Sequence, residues 1–548
     1  MTVLSTGLFT AVNADLFSSI FGLEQLMVTE RGFEQIVNDY VDHEMQRLEL
    51  LRRSAKDFQR FLPIETRPPE ALANPINAYR LVKRHVVDSM STLNLMRQNS
   101  AEDFIEYLAR HYVMPGEEDL DGAVTALFRL QDTYLLSADE IAVGAIPGAD
   151  RKQPLDINDC FLLGNLAFQR QDYYHSLPWL LLTEKMMRSY TDQNSTNVAA
   201  TVHRELTERD NKRPVARFAF NKTVLYDYLT YSMYAQGNIE RAVYYSRQLV
   251  ATEPTYVTAS YLPIYEQLMA ENNSTWDGRR ETLPPVVNPR MIPPLFPNYE
   301  PLCRGEKFLT PAELKDLYCY YKRDLPFLKL APIKVTVLFN DPKVLQFHNV
   351  MTPTESARIK AISGPNLRRA LVVNSNPKDD SFESSNIEAS FRVAKNFWMP
   401  EHELMEWLQP LLKRIEHMTD LDLEQSEQLQ IQNYGMGGHY EPHFDMAMED
   451  EEIDLNNPTM GNRVATLLFY MSVPEAGGAT AFEELKISVF PSENDAVFWF
   501  NVLRDGMPDL RTRHAGCPVL YGQKWVANKW LHERGQEFRR PCALKPGL

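Results

Sequence analysis

The sequence predicts a multidomain α+β chain. A helical, partly coiled N-terminal region leads to an all-α tetratricopeptide-like region, and an all-β jelly roll closes the chain. Three observations predict this order. Apolar residues recur at helical spacing from about residue 15 to residue 271. A helix–turn–helix pattern occurs twice within that stretch. After residue 333 the texture changes to short β-branched and aromatic runs divided by Gly and Pro. At 548 residues there is room for about three or four domains.

Residues 1–14, MTVLSTGLFTAVNA, are apolar and small and end in Val12-Asn13-Ala14, which reads as a short signal peptide. Residues 15–150 form the helical N-terminal region. Leu16, Ile20, Leu23, Leu26 and Met27 open a long amphipathic pattern that continues through Phe33, Val37 and Val41 to Leu48 and Leu51, the pattern of a bundle helix or of a paired, coiled one. Pro63, Pro68, Pro69 and Pro75 break it, and helical segments resume near 77–97, 101–112 and 119–135. The second region, 153–271, opens with two amphipathic helices in INDCFLLGNLAFQRQDYYHSLPWLLLTEKM. It repeats the pattern in KTVLYDYLTYSMYAQGNIERAVYYSRQLV, with Pro254 after it. Such pairs bury their faces only against neighbours, so this region reads as a binding module. Residues 189–221 interrupt the pairs as a polar, extended loop. Residues 272–332 begin with six prolines between 284 and 297 and read as a linker. In 333–548 the runs VTVLF, VLQFH, RALVVN, QLQIQNY, VATLLFYM, ISVF, AVFWF and KWVANKW read as strands, with helices near 353–363 and 401–418.

The formal charge of −16 argues against nucleic acid as the main partner, because phosphate binding needs a basic footprint. No apolar run reaches the ~18 residues of a membrane span. Five cysteines are too few for a disulfide scaffold, and the odd number leaves one thiol over. Sequons at Asn194, Asn221, Asn272 and Asn273 fit a luminal glycoprotein.

The chemistry concentrates in NYGMGGHYEPHFD, residues 433–445. His443 and Asp445 are two apart, so on a strand they share a face. His514 follows after several strand-like runs and is placed to close a site from a neighbouring strand. Two histidines and one carboxylate with open positions are the ligand set of non-haem Fe(II) oxygenases. His439 competes by position. A zinc hydrolase is the other metal reading, although no H-E-x-x-H occurs. Lys524, ten residues after His514, would be costly at the floor of an apolar barrel unless an anion pairs with it, and a dicarboxylate co-substrate supplies that anion.

These stretches, with GNRVATLLFYMS, GGATAFEE, AVFWFN and TRHAGCPVLYGQKWVANKWLHERGQEFRRPC, resemble the catalytic domain of collagen prolyl 4-hydroxylase α subunits. The likeness extends upstream through FRLQDTYLLS, DCFLLGNLAF, DYYHSLPW and LCRGE. It implies a double-stranded β-helix dioxygenase with His443, Asp445 and His514 on Fe(II). Lys524, Tyr434 and Thr480 would hold 2-oxoglutarate, and Arg463, Trp530 and His532 would lie near the peptidyl proline. It further implies 4-hydroxylation of procollagen X-Pro-Gly repeats with O2, release of succinate and CO2, and ascorbate as the agent that rescues oxidised iron. The expected assembly is an α2β2 tetramer in the lumen of the endoplasmic reticulum. Protein disulfide isomerase would be the β subunit, and the N-terminal region would pair the α subunits. The resemblance also implies disulfides Cys303–Cys319 and Cys517–Cys542, with Cys160 left as a buried thiol.

Tyr228, Tyr231 and Tyr234 recur every three residues beside Asp227, so on a helix they fan across one side. Such tyrosines either pack a repeat core or line a groove for polyproline II peptide. The resemblance implies the groove, with Tyr265 as a further aromatic. Thr258 and Leu262 stand where related subunits carry Arg and Asn, which leaves the peptide preference open. Two other functions compete: a prolyl 4-hydroxylase of non-collagen proline-rich secreted proteins, and a non-catalytic scaffold that binds proline-rich peptides.

Overall fold

The computed structural model describes residues 16–61, 76, 79, 82–98, 100–149, 153–193, 220–272, 296–373, 386–388, 391–401, 403–448 and 460–543. The expected signal peptide, residues 194–219 of the expected loop and residues 273–295 of the expected linker lie outside them. The chain forms two compact units, one reaching to Asp119 and one comprising Phe17–Ile20 with Leu120–Leu548. The expected division near residue 150 therefore falls inside the second unit.

In the first unit, helix α1 (Ile20–Phe61) runs alongside α2 (Ser89–Arg97) and α3 (Ala101–His111). The order of contacts makes them antiparallel. Thr29 donates to Val113 O, Tyr40 meets Phe104 edge-on at 5.5 Å, Arg47 donates to Leu95 O and Ser54 bonds Thr92. Ile36 is buried by this packing, while Phe33, Val37, Val41, Met45 and Leu48, spaced by three or four, stay exposed along another face.

The second unit begins with α4 (Glu117–Tyr134, from Leu120 on) and α5 (Ala138–Ala142). Two helical hairpins follow: α6 (Ile157–Gln169) with α7 (Tyr173–Gln193), and α8 (Lys222–Ala235) with α9 (Ile239–Thr252); α10 (Leu262–Glu271) closes the set. Local chemistry places these boundaries. Asp156, Asn221 and Asn238 each cap a helix by accepting backbone N–H groups, which satisfies donors the first turn leaves unpaired. Gly237, at φ +76°, makes the turn of the second hairpin. Gly164 lets α6 and α7 approach, since a Cβ there would come within 2.7 Å of the Leu180 side chain. The polar stretch expected to be a loop from residue 189 is helical up to Gln193, because the α7 ladder outlasts its apolar stripe.

The stretch expected as linker up to 332 is also partly built into the fold. Helix α11 (Tyr299–Cys303) and strand β1 (Cys319–Lys322) both precede residue 333. Pro-rich composition marked the start of this segment but hid the β-pairing of Cys319–Lys322 with the next strand.

The C-terminal barrel is two facing sheets. The nine-stranded sheet runs β1–β2–β3–β15–β11–β18–β9–β8–β4, with β2 Ile333–Asn340, β3 Lys343–His348, β4 Arg368–Arg369, β8 Lys395–Met399, β9 Leu429–Tyr434, β11 Arg463–Tyr470, β15 Ala496–Phe500 and β18 Lys524–His532. The five-stranded sheet runs β14–β13–β16–β10–β7, with β7 Arg392–Val393, β10 His439–His443, β13 Thr480–Phe482, β14 Ile487–Val489 and β16 His514–Gly516. Two short pairs, β5 (Leu371–Val373) with β6 (Asn386–Glu388) and β12 (Ala476–Gly477) with β17 (Val519–Tyr521), flank them. The core between the sheets joins Tyr434, Tyr470 and Trp499 of the larger sheet to Phe482, Ile487 and Val489 of the smaller one. Helix α12 (Pro353–Ser363) braces the end of β11, where Ser356 and Lys360 both donate to Met471 O, and Arg414 of α13 (Gln409–Thr419) pairs with Glu355 of α12.

Candidate metal centre

Strands β10 and β16 are antiparallel neighbours, with His443 directly opposite His514. Asp445 follows β10 by two residues. The donor atoms of His443, Asp445 and His514 lie within 4.8 Å of one another. His443 Nε2 is 3.7 Å from Asp445 Oδ1, and His514 Nε2 is 3.5 Å from Asp445 Oδ2. A second contact orients each ligand. His443 Nδ1 lies 2.7 Å from Glu441 O, and His514 Nδ1 lies 3.0 Å from Thr512 O. A carbonyl only accepts, so both Nδ1 atoms carry the proton and both Nε2 lone pairs face the common point. Thr466 donates to Asp445 Oδ2 at 2.7 Å, and Asn501 donates to Thr466 in turn at 2.9 Å.

The electrostatics suit a cation. Burial, followed by the facing His514, pushes His443 down to about 3. Burial opposes the charge on Asp445, yet His514, His443 and Arg463 hold its carboxyl at about 2. His443 is therefore neutral and Asp445 ionised at neutral pH, the protonation that metal binding requires. His439, the competing histidine, is buried beside Glu441 at 3.8 Å and stands outside this cluster.

A cavity between the sheets runs from these ligands to Lys524, with Tyr434, Thr480, Val526 and Trp530 in its wall. Lys524, Val526, Asn528 and Trp530 all line it because alternate residues of β18 share one face. Burial alone pushes the Lys524 ammonium down to about 7, and no ion pair offsets it among the described residues. The Tyr434 ring lies 5.2 Å from its ammonium. A dianion reaching this end of the cavity would remove that penalty. Thr480 Oγ1 accepts from Tyr470 at 2.8 Å, which leaves the Thr480 proton free to donate into the cavity. Tyr434 donates to Gln432. The donor set thus fits a divalent metal, and the buried lysine fits a dicarboxylate.

Comparison with known proteins agrees along the chain. Residues 19–148 match the family described as prolyl 4-hydroxylase alpha-subunit, N-terminal region, and residues 157–271 the prolyl 4-hydroxylase peptide-substrate-binding domain. Residues 429–532 match the 2OG-Fe(II) oxygenase superfamily. The prolyl 4-hydroxylase subunit alpha-2 of Caenorhabditis elegans is 41% identical over 97% of this chain and 94% of its own. The human subunit alpha-1 is 36% identical over 96% of this chain and 95% of its own. The chain belongs to the prolyl 4-hydroxylase α subunit family. A solved viral collagen prolyl hydroxylase from Paramecium Bursaria Chlorella virus-1 aligns with 34% of this chain and 95% of its own, at 23% identity and a TM-score of 0.26, too low to bear on the argument. The barrel is a 2OG-Fe(II) oxygenase domain, so Fe(II) and 2-oxoglutarate are the groups that this α subunit takes.

Of the three residues expected near the proline, Trp530 lines the cavity. Arg463 stacks over the Trp530 ring at 4.0 Å and donates to Asp445 O at 3.2 Å. His532 is fully buried behind them and does not line the cavity; it bonds Glu427 at 2.9 Å and Gly461 O at 2.7 Å. Glu427 also accepts from Arg463 Nε and Nη2, and although burial works against its charge, Arg463 and His532 keep its pKa low. Sequence reasoning missed Glu427, Thr466 and Tyr440, whose ring stacks 3.5 Å from that of His443. Strand alternation from Leu468 would have found Thr466, while no sequence signal marks Glu427.

In the peptide-substrate-binding domain the tyrosines form one aromatic row. Tyr228 stacks on Phe168 at 4.3 Å, Tyr231 meets Tyr173 at 5.5 Å, and Tyr234 meets Tyr265 at 5.4 Å. Tyr231 and Tyr234 are each 43% exposed, while Tyr265 is buried. Asp227, whose pKa burial raises, accepts from Thr258 at 2.6 Å, so the departure at position 258 is bonded to the acidic residue beside the tyrosine row. Phe168 and Tyr173 were not anticipated.

The expected disulfides are corrected. Cys303 pairs with Cys517, 214 residues away, and Cys319 and Cys542 are exposed free thiols. Cys303 on α11 is buried with Leu302, Ala479, Ala481 and Cys517, whereas Cys319 is at the outer edge of the larger sheet, 3.2 Å from the Thr336 hydroxyl. Packing, not sequence proximity, chose the partner. Cys160 is a buried thiol, pushed up to about 12 by burial and its acidic neighbours.

Proposed function

We propose that this α subunit hydroxylates peptidyl proline at C4 in procollagen-like X-Pro-Gly repeats, in the lumen of the endoplasmic reticulum. The observation that carries the reading is the two-histidine, one-carboxylate cluster sharing a cavity with an unpaired buried lysine. The C4–H bond is unactivated, so acid–base groups cannot break it; iron with 2-oxoglutarate and O2 supplies the oxidant, with succinate and CO2 as co-products.

The chain's own residues do the rest. His443, Asp445 and His514 would hold the ion, and three protein ligands would leave positions for the co-substrates. Lys524 pairs with the distal carboxylate of 2-oxoglutarate, and Thr480 donates to it. Apolar Val526 and Leu468 keep water from the cavity. Trp530, held flat by Arg463, forms the wall against which a pyrrolidine ring packs. Tyr231 and Tyr234 bind a further stretch of the same chain, because a polyproline II peptide already has little entropy to lose.

Ascorbate serves as the reductant for iron oxidised without product. Protein disulfide isomerase is the β subunit, and the exposed apolar stripe Phe33–Leu48 of α1 supports pairing with a second α subunit into α2β2. The Cys303–Cys517 bond supports an oxidising compartment. The Thr258–Asp227 bond favours a second reading, a non-collagen proline-rich substrate, since it occupies a polar group of the groove. Incubating the purified assembly with Fe(II), 2-oxoglutarate, ascorbate and either a Pro-Pro-Gly peptide or polyproline separates the two. The collagen reading expects 4-hydroxyproline in the Pro-Pro-Gly peptide. Hydroxylation of polyproline alone favours the second reading, and no product from either defeats both.

A further inference from the structure

The metal ligands hang from two loops as well as from two strands. The turn Gly435–Gly438 leads into β10 and so to His443 and Asp445, and residues 517–519 leave β16 just after His514. These loops are bonded to each other, Gly437 N donating to Val519 O at 3.0 Å and Val519 N to Gly438 O at 3.1 Å. Helix α4 holds both. Arg129 Nη1 donates to Gly437 O at 3.0 Å, and the Tyr134 hydroxyl donates to Pro518 O at 2.5 Å. Ala126 presses on the same turn, so that a Cβ at Gly437, whose φ is +61°, would meet its Cβ at 2.9 Å.

The other side of α4 is fixed in turn. Phe128 stacks on His175 at 4.6 Å, Asp132 bonds His175 at 3.2 Å, and Gln131 accepts from Trp179 at 3.2 Å. Positions 128, 131 and 132 face α7, while 126 and 129 face the glycine turn, as the three- and four-residue spacing of a helix requires. Arg129 is a partly buried guanidinium for which burial outweighs the charges around it, Glu441 included. Burial lowers its pKa to about 10. A charge held at that cost, with its hydrogen bond aimed at one backbone carbonyl, serves that carbonyl's position.

We propose that Arg129 and Tyr134 are positioning residues for the metal ligands, keeping the approach to His443 and Asp445 in register with the exit from His514. Neither touches the ion or the substrate. The proposal rests on the metal-centre reading and adds to it a support lying more than 300 residues upstream in sequence for Arg129.

The test uses the full chain with its partner subunit, as wild type, Arg129→Lys, Arg129→Met and Tyr134→Phe. Anaerobic Co(II) titration followed in the visible spectrum reads metal affinity without turnover, and thermal unfolding of the metal-free forms reads stability. Arg129→Met should weaken Co(II) binding about tenfold, as loss of a ligand-orienting contact does. It should also lower kcat with little change in peptide KM. Tyr134→Phe, which removes one hydroxyl, should move both in the same direction by less, and it carries the test alone if Arg129→Met fails to fold. Arg129→Lys, keeping a donor, should recover most of the loss. Wild-type Co(II) affinity in both Tyr134→Phe and Arg129→Met overturns the proposal, as does equal loss in the Lys and Met variants. Absence of Co(II) binding by the wild type would instead defeat the metal-centre reading itself.

Discussion

At the metal centre every ligand side chain is held twice. His443, His514 and Asp445 each turn one polar atom to the common point, while Glu441 O, Thr512 O and the Thr466 hydroxyl fix the other. In the tyrosine groove, Tyr231 and Tyr234 are held by neighbouring rings on one side and open to solvent on the other. The first arrangement fixes the direction of each donor atom, as bond-breaking chemistry needs. The second, on the reading proposed above, offers broad apolar faces to successive prolines without a unique register. One chain thus combines a site that must not move with a surface that need not be exact.

That contrast predicts how each region breaks. The largest effect is expected at the ligands: His443→Ala or His514→Ala should reduce succinate release to background while the unfolding midpoint of the metal-free chain stays close to wild type. Lys524→Met comes next. It should raise the 2-oxoglutarate requirement roughly a hundredfold, since it removes one partner of a buried charge pair, about 3 kcal/mol. The same variant should unfold at a higher temperature than wild type in the absence of co-substrate. The sign follows from the depressed pKa of about 7: the unfolded lysine keeps its proton up to its ordinary value while the folded one resists it. The stability gap should therefore be full at and below about pH 7 and close as pH rises towards the ordinary lysine value. A gap independent of pH would remove burial as its cause.

In the groove a softer response is expected. Tyr231→Ala or Tyr234→Ala should raise KM for long proline-rich peptides about tenfold, near 1–2 kcal/mol, and leave short peptides that reach only the barrel unaffected. Equal loss on both lengths would mean that these tyrosines pack the repeat and do not read substrate. The smallest effect concerns His175, which joins α4 to α7. Burial works against its charge, but Asp132 and Asp172 outweigh it and raise its pKa. Its ion pairs therefore stabilise fully below the unfolded value of about 6.5 and are lost as pH rises through the higher folded value. The difference in unfolding midpoint between wild type and His175→Asn should shrink from pH 5.5 to pH 9.

Much of the barrel was legible because period-two alternation survives burial. Lys524, Val526, Asn528 and Trp530 fall on one face by counting, whereas Asp445 meets His443 from a bend just beyond the end of β10. The tetratricopeptide-like hairpins were legible through their repeated amphipathic helix–turn–helix pattern. What escaped were relations between distant segments. Cys303 meets Cys517 rather than Cys319 because α11 packs on the smaller sheet, and nothing near residue 303 encodes that. Glu427, which holds Arg463 and His532 together, stands just before β9 and carries no local pattern. Residues 299–332 looked like linker because proline composition speaks for the segment's start and not for its end.

The central claim is that the three-ligand cluster and Lys524 turn 2-oxoglutarate decarboxylation into proline hydroxylation. It is tested most directly by counting both products in one reaction, with the purified assembly supplied with Fe(II), ascorbate, 2-oxoglutarate and a saturating Pro-Pro-Gly peptide. The account predicts succinate and 4-hydroxyproline in a ratio near one, and neither product from His514→Ala. Succinate without 4-hydroxyproline, or hydroxylation that persists in His514→Ala, would contradict it.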